Sequence, residues 1–281
     1  MRRASYLPQC IAVLAITAAI PTAQAATDIH GQELTLTLNA AETEMKLYWR
    51  PMQDDFSPPS PCSAWDYTLN LYIDGELVPI GHPPMSGVEG DCHIKTTIKS
   101  GAVYTNKVSP GVWSVTANRE TQPAISESLT INACTPTQGK LPMYRTYHST
   151  YTDNLYTTSS SNRDISLRVG YSDRGVPFAM PNQVRFGSKR FWRYFKGAPQ
   201  LEHFYTHVES DARSVEGAGY VYEGIEGNIF DRAKPGAVAL YRYSLFNGMS
   251  GDLQHYYTIK VGDPAAFGWS YEGVVGYVCQ P

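Results

Sequence analysis

The fold of this chain is decided by GWSYEGVVGYV, residues 268–278, because the same phrase occurs twice earlier in the C-terminal half. Residues 219–227 read GYVYEGIEG, and residues 170–176 carry a more divergent copy, GYSDRGV. The matching glycines are 49 and 49 residues apart (224 − 175 and 273 − 224): Gly175, Gly224 and Gly273. A period this regular over three copies predicts an internally repeated domain.

Two further segments recur with the same period, and each has the composition of a short strand. The first is an aromatic-Arg-aromatic segment, found as MYRTY at residues 143–147, FWRYF at 191–195 and LYRY at 240–243. The second ends in Tyr-Thr and is found as NLYT at 154–157, HFYT at 203–206 and HYYT at 255–258. The arginines of the first segment are 48 and 49 residues apart (193 − 145 and 242 − 193).

Each repeat is therefore expected to contain about four short strands, from the two aromatic segments and the two halves of the glycine phrase. Three such units predict a β-trefoil-like domain with threefold pseudosymmetry, and a small radial, propeller-like assembly is the alternative. We place this domain at residues 141–281, with repeats at about 141–185, 189–235 and 238–279. One segment of each repeat is predicted to form a helical turn, at residues 160–169, 209–216 and 262–267.

The three segments resemble a repeat domain of unknown function that is found in exported bacterial proteins, often at their C-terminus. The resemblance rests on a YRYY-like strand, a DHFYT-like strand and a GYxxEGIxGYV phrase, and it covers about residues 141–279. It implies an exported, all-β accessory module that recognises a glycan or a surface component. Repeat one departs from the pattern: Asn154 replaces the histidine, Arg174 replaces the glutamate, and Pro177 and Phe178 occupy the later glycine region.

Residues 26–134 are predicted to form short strands separated by turns. Residues 33–38 alternate strictly between polar residues and leucine, which is typical of a half-buried strand. Asp74-Gly75 is a strong signal for a two-residue hairpin. About seven such strands predict a β-sandwich of immunoglobulin-like or fibronectin-like shape, so the whole protein is expected to be all-β. The linker at residues 135–140 is short, which should place the two domains close together.

The first 25 residues have the order of a secretory signal peptide. Arg2 and Arg3 form a basic start, residues 11–20 are an apolar run, and Ala23-Gln24-Ala25 is a small-residue cleavage site. An N-terminal membrane anchor is the alternative. The mature chain would keep 23 − 2 = 21 basic against 26 acidic side chains, a net charge of −5. We therefore expect a secreted or periplasmic protein with no nucleic-acid partner and no membrane insertion.

The cysteine content is consistent with the same compartment. Cys10 should leave with the signal peptide, and an even number of cysteines in an exported chain predicts disulfide bonds. We favour pairing Cys62 with Cys92 and Cys134 with Cys279, although four cysteines allow three pairings. The second bond would join the residue before the repeats to the residue after the last one. There is no CxxC spacing to support a zinc site.

The Tyr-Thr strands are the first candidate for a binding site. Alternation places His203 and Tyr205 on one face of the strand in repeat two, and His255 and Tyr257 on the same face in repeat three. The opposite face is more apolar and is expected to point inward, which would expose the His/Tyr face. A ring for stacking and polar tips for hydroxyl groups suit a sugar. The alternative is that these side chains are internal and bond to the backbone.

The arginine and glutamate of the repeats are the second candidate. They are Arg193, Glu223, Arg242 and Glu272. A guanidinium and a carboxylate can pair through two parallel hydrogen bonds, so a structural role in holding each repeat together is the alternative to ligand binding. In repeat one, Arg174 at the Glu position leaves Arg145 to be balanced by Asp173 or by another repeat.

Catalytic and metal motifs are absent from the sequence, which contains no GxSxG, HExxH, P-loop or dinucleotide fingerprint. His203 and His207 would face the same way on a strand, but the other repeats have no match for His207, so no metal is expected. No cofactor is expected either. Asp252, Glu223 and Glu272 could converge as paired carboxylates, which leaves an exported hydrolase open.

The sequence therefore predicts a secreted, non-catalytic module that binds a carbohydrate or a cell-surface component through its repeats. A protein–protein interaction or inhibitor module that acts through the β-sandwich is the alternative. An exported hydrolase is the third hypothesis. The expected partner is a glycan or another cell-surface ligand.

Overall fold

A computed structural model of the chain describes residues 26–27, 32–51, 67–86, 92–99, 108–119, 124–247 and 252–281. The predicted signal peptide and Cys62 lie outside these residues. Within them, no helix is both long enough and apolar enough to cross a membrane. The described elements are mainly strands in antiparallel sheets, which confirms the all-β fold class.

The N-terminal domain contains two four-stranded antiparallel sheets. Its strands are β1 Ala26–Thr27, β2 Glu33–Leu38, β3 Glu44–Arg50, β4 Tyr67–Ile73, β5 Glu76–Val78, β6 Ile94–Lys99, β7 Gly111–Arg119 and β8 Ile125–Ile131. One sheet has the order β1-β2-β3-β6, and the other has the order β5-β4-β7-β8. The chain therefore crosses repeatedly between the sheets, because β6 returns to the first sheet before β7 and β8 complete the second.

Both sheets contribute to one apolar core. The alternation in β2 places Leu34 and Leu36 fully inside, and Trp49 and Trp113 fill the space between the sheets. Two antiparallel sheets that share one core are the arrangement of a β-sandwich. The turn between β4 and β5 is the predicted hairpin. Asp74 and Gly75 both have positive φ, 51° and 83°, as the two-residue turn requires.

In the C-terminal domain each repeat is a three-stranded antiparallel unit. The strands are β9 Lys140–His148, β10 Asp153–Thr157, β11 Ser172–Asp173 and β12 Phe178–Pro181 in repeat one, β13 Ser188–Lys196, β14 Glu202–Thr206 and β15 Val221–Phe230 in repeat two, and β16 Val238–Asn247, β17 Asp252–Thr258 and β18 Ser270–Val278 in repeat three. The first strand of each repeat lies between the second and the third. In repeat one the third strand is divided into β11 and β12.

The segment after the second strand is helical in each repeat, as predicted. It forms α1 Ser160–Arg168, α2 Glu209–Gly217 and a 3-10 helix at Pro264–Ala266. A threonine at the end of the second strand fixes the turn that leads into each helix, because its hydroxyl accepts a hydrogen bond from the backbone N–H two residues later. These threonines are Thr157, Thr206 and Thr258.

The predicted count of about four strands per repeat, on which the trefoil-like prediction rested, is met in repeat one, which contains β9 to β12, but repeats two and three each contain three strands. In repeats two and three the glycine phrase forms one continuous strand. Its pairing with the first strand of the repeat contains two register shifts, at which the strand bends but does not end. The strands of the described residues form no closed barrel. Instead β10, β14 and β17 lie against one another at the centre.

A ring of three buried tyrosines closes the centre of this domain: Tyr156, Tyr205 and Tyr257. Each hydroxyl donates to the backbone carbonyl of a ring neighbour and accepts from the backbone N–H of that neighbour, at 2.7–3.0 Å. Their rings pack edge to face, with centroids 5.5–5.7 Å apart. Burial raises the pKa of all three hydroxyls. Since each hydroxyl serves a strand of another repeat, the three repeats form one closed unit.

Cys134 and Cys279 form the predicted disulfide bond, with Cα atoms 5.4 Å apart. It joins the residue before the repeats to the residue after β18. A bridge across a segment of this length contributes about 4–5 kcal/mol in the chain-entropy model. Cys92 is also disulfide-bonded. Its predicted partner, Cys62, lies outside the described residues.

Polar contacts join the two domains. Lys234 of repeat two forms an ion pair with Asp74 of the sandwich, and its side chain is fully buried. In the linker, Gln138 donates to the carbonyl oxygen of Val108 at 3.1 Å. Its side-chain oxygen accepts from Nε of Arg185 at 3.0 Å. The two domains therefore touch directly.

Candidate functional site

The His/Tyr face of the Tyr-Thr strands is buried, which corrects the expectation that it is exposed. Tyr205 and Tyr257 are 0% and 1% exposed, and they belong to the central ring. His203 and His255 are 8% and 6% exposed. The opposite face is buried too, since Phe204 is 4% exposed. The strands at the centre of three repeats are covered on both faces, so the two tyrosines are not available to stack on a ligand.

The arginine and glutamate of repeats two and three are in contact. Nε of the arginine donates to the carboxylate at 2.7 Å in the pair Arg193–Glu223 and at 2.6 Å in the pair Arg242–Glu272. Among the described contacts a single bond joins each arginine to its glutamate, rather than two parallel bonds, and a terminal nitrogen of each arginine bonds to a second acid. That acid is Glu226 in repeat two and Asp211, at 2.9 Å, in repeat three. Because Asp211 belongs to α2, the second bond of Arg242 links two repeats.

The histidines also link neighbouring repeats. Nδ1 of His203 lies 2.7 Å from the carboxylate of Asp153 in repeat one, and its backbone N–H donates to the same carboxylate at 2.9 Å. Nδ1 of His255 makes the same contact with Glu202 in repeat two. Sequence reasoning missed both acids. A signal for them was present, because an acid directly precedes the Asn/His position in repeats one and two.

A cleft of about 580 Å³ opens between repeats two and three. Repeat two contributes helix α2 and the rings of Phe204 and Tyr220, and repeat three contributes Phe246 and Leu253. The charged and polar groups of its lining include Lys196, Asp211, Arg242, His255 and Glu272. Phe246 and Leu253 are 65% and 46% exposed, so a ligand can reach them. A smaller hollow of about 380 Å³ shares Asp211, Arg242 and Glu272.

A difference between two repeats explains why His255 borders this cleft. In repeat two, the ring of Phe195 packs on His203, with centroids 4.7 Å apart. The equivalent residue in repeat three is Ser244. Because serine has no ring, His255 lacks the cover that His203 has in repeat two. His255 instead packs edge to face with Phe204, with ring centroids 4.7 Å apart.

The cluster that borders the cleft is electrostatically paired. Burial acts to lower the pKa of His255, but hydrogen bonds to Glu202 and Glu272 outweigh it, so the pKa is raised. Burial acts to raise the pKa of Glu272, but hydrogen bonding to His255, together with the nearby charges and Ser244, lowers it to about 2. The ionised carboxylate of Glu272 therefore stabilises the protonated form of His255.

The histidines and acids of the repeats bear on two further hypotheses, a metal site and paired-carboxylate catalysis. In the part of the chain that the structure describes, no group of three or more His, Cys, Asp or Glu is placed to hold a metal ion. Glu223 and Glu272 each form an ion pair with the arginine of their own repeat. The side chain of Asp252 lies outside the described part of the chain.

Comparison with protein families identifies the C-terminal half. Residues 135–279, just over half of the chain, match the family described as "Domain of unknown function (DUF5648)". The chain belongs to this family. No curated protein and no solved structure matches it significantly. The match begins directly after Cys134 and ends at Cys279, so it covers all three repeats and the cleft.

Proposed function

We propose that this protein is an exported, non-catalytic binding module that recognises a carbohydrate in the cleft between repeats two and three. The observation that supports this is the composition of the cleft, which combines aromatic and apolar side chains with fixed charged groups. Sugars bind to this combination, because their ring faces pack on aromatic side chains while their hydroxyls bond to polar groups.

The size of the cleft fits a small ligand or a short segment of a glycan. Its volume of about 580 Å³ lies within the range of roughly 300–1,000 Å³ that is typical of small-molecule sites. Two of the six apolar and aromatic residues in its lining, Phe246 and Leu253, are substantially exposed. Contact with a ligand would remove this apolar surface from water.

The polar groups of the cleft are held in place before a ligand arrives. Arg242 is fixed by Glu272 and Asp211, and His255 is fixed by Glu202. Groups that are already ordered lose little conformational freedom on binding, which favours affinity. Under this proposal Arg242, His255 and Glu272 bind the ligand, whereas Tyr205 and Tyr257 are parts of the core.

Export is supported by the bond between Cys134 and Cys279, because disulfides persist in oxidising compartments. Under this proposal the mature protein begins near Ala26. The intact mass of the protein recovered from the medium or periplasm tests this. A mass that includes the first 25 residues would contradict it.

A glycan array probed with the full chain tests the binding function. We expect binding to at least one glycan, and a double variant, Phe246→Ala with Leu253→Ala, to weaken it at least about tenfold, or about 1.4 kcal/mol. Leu77→Ala is the matched control, since Leu77 is 60% exposed on the sandwich domain. Circular dichroism should show that all variants stay folded, because the substituted side chains are largely at the surface.

Absence of binding to every glycan, or an equal loss in Leu77→Ala, would contradict the proposal. The protein-interaction module acting through the sandwich would then become the leading function. Release of soluble sugars from a polysaccharide would instead favour the exported hydrolase.

A further inference from the structure

The contact between repeats three and one lacks the acids that the other two contacts share. Between repeats one and two, Asp153 and Glu223 lie on either side of His203. Between repeats two and three, Glu202 and Glu272 lie on either side of His255. The equivalent residues of the third contact are Gln254, Asn154 and Arg174.

Arg145, at the centre of this contact, has no carboxylate partner among the described residues. Its Nε donates to the side-chain oxygen of Asn154 at 3.0 Å. Its guanidinium carbon lies 4.5 Å from the centre of the Tyr256 ring. Its terminal nitrogens have no acceptor in the described part of the chain, whereas a terminal nitrogen of Arg193 and of Arg242 each binds an acid.

Arg174 places a second unpaired cation beside Arg145. Its backbone N–H donates to the carbonyl oxygen of Arg145 at 2.8 Å, so Arg174, directly after the end of β11, lies opposite Arg145 of β9. Like charges in this position repel each other. Arg174 is exposed, its guanidinium lies 5.2 Å from the centre of the Tyr147 ring, and none of the described acids forms an ion pair with it.

The acids that are candidates to balance these arginines are engaged elsewhere. Asp173, which the sequence suggested as a partner for Arg145, forms an ion pair with Arg163 at 3.7 Å. Asp263 occupies the position of Asp211 in repeat three, but its carboxylate accepts hydrogen bonds from other donors. These donors are the hydroxyls of Tyr256 and Thr258, at 2.8 and 2.7 Å, and the backbone N–H of Ala265, at 3.0 Å.

We propose that Arg145 and Arg174 form an anion-binding site that takes the carboxylate group of a ligand. In repeats two and three a glutamate carboxylate lies 2.7 and 2.6 Å from Nε of the arginine. In repeat one the ligand supplies the missing carboxylate and bonds to the terminal nitrogens of Arg145. The planar guanidinium fork matches a carboxylate, and an anion relieves the repulsion between the two cations. This site is separate from the cleft between repeats two and three and does not depend on it.

Titration calorimetry of the full chain in low salt, with glucuronate, acetate and glucose as separate probes, tests the site. We expect glucuronate to bind. Arg174→Glu should weaken that binding at least tenfold, because it restores the glutamate of repeats two and three and so provides Arg145 with an internal partner. The same variant should keep or raise the melting temperature, which separates lost binding from lost folding.

Arg190→Glu is the matched control. It makes the same change of charge at an exposed arginine of repeat two, and it should weaken glucuronate binding less than twofold. Acetate binding that disappears in Arg174→Glu would support the site and would show that the carboxylate alone is sufficient.

Binding of neither glucuronate nor acetate by the chain would overturn the proposal. So would an equal loss in Arg190→Glu, or glucuronate binding that Arg174→Glu leaves unchanged. The variant Phe246→Ala with Leu253→Ala should retain glucuronate binding at the site. A failure of the carboxylate site can therefore be distinguished from a failure of the glycan cleft.

Discussion

The contact between repeats two and three and the contact between repeats three and one use equivalent positions in opposite ways. In the first, Glu202 and Glu272 hold His255 from two sides. In the second, the positions of these two acids are occupied by Gln254 and Arg174, so no acid remains there. We call the first contact balanced, because its cations, Arg242 and His255, are paired with acids of the protein. The second contact has an excess of positive charge.

The tyrosine ring explains why the protein tolerates this difference. In all three contacts a tyrosine hydroxyl bonds to both backbone groups of a tyrosine in another repeat. These bonds depend only on the hydroxyl and the backbone, so they stay the same when the surrounding side chains change. The threefold arrangement is held at the centre, and the charged groups around it can differ from one contact to the next.

The largest expected effect comes from breaking the balanced contact with Glu202→Leu. Glu202 is fully buried against His255, so the variant leaves Nδ1 of the buried histidine without its partner. We expect a loss of about 3–5 kcal/mol in the free energy of unfolding, measured by chemical denaturation. Glu209→Leu is the control, since Glu209 is exposed on α2, and it should change stability by less than about 0.5 kcal/mol. Similar small effects in both variants would show that the contact contributes little.

A smaller loss is expected when the ring that both contacts share is opened by Tyr257→Phe. The backbone N–H and carbonyl of Tyr205 lose their partner and stay buried, which should cost about 2–3 kcal/mol. Tyr271→Phe removes a hydroxyl from a tyrosine that is 57% exposed and should have little effect. If Tyr257→Phe were as stable as Tyr271→Phe, the ring would not explain the symmetry.

The balanced contact should make the stability of the protein depend on pH, because the pKa values of His255 and Glu272 are shifted in the folded state. The folded-state pKa of His255 is raised above 6.5, so its contribution is complete below pH 6.5 and is lost as the pH rises through the folded value. The folded-state pKa of Glu272 is lowered from 4.5 to about 2, so its contribution is complete above pH 4.5 and is lost as the pH falls toward 2. We expect the denaturation midpoint to decline on both sides.

The variant His255→Asn provides the test, because it copies the residue of repeat one. It should flatten the decline on the alkaline side and leave a decline on the acid side. An alkaline decline of unchanged slope in this variant would mean that another group titrates there.

The smallest effect is expected from Gln254→Leu, in the contact that lacks acids. Gln254 is fully buried, and neither side-chain amide atom has a hydrogen-bond partner among the described residues. Replacing an unsatisfied amide by an apolar side chain of similar size should change stability by less than about 1 kcal/mol or raise it. Chemical denaturation of both variants compares the equivalent positions 202 and 254 directly. A loss in the free energy of unfolding as large as that of Glu202→Leu would contradict the assignment of Gln254 as unsatisfied.

Much of the fold could be predicted from local patterns. The alternating leucines of β2, the Asp74-Gly75 turn and the pairing of Cys134 with Cys279 were all predicted correctly. The contacts of Arg193 with Glu223 and of Arg242 with Glu272 followed from their fixed positions in the repeat. These features depend on short spacing rules or on the period, and both can be read from one chain.

The site was harder to predict. Alternation correctly placed His203 and Tyr205 on one face of a strand, but it could not show that both faces of β14 are covered. The glycine phrase was expected to contain two strands, whereas in repeats two and three it forms one strand whose pairing has register shifts. His255 borders the cleft where Ser244 stands in place of Phe195, and the cleft itself appears only when the neighbouring repeat is in place.

The sequence by itself determined that the chain has three related units and that they are built from strands, and it favoured a disulfide bond between their ends. Period, alternation and cysteine position carry this information because they act over short or regular distances. Only the tertiary structure decided that the tyrosines face inward, that the acids preceding the Asn/His position bind the next repeat, and that Arg145 and Arg174 lack an acid. These outcomes arise where side chains from different repeats meet, and the distance between such side chains depends on how the three units close around the ring.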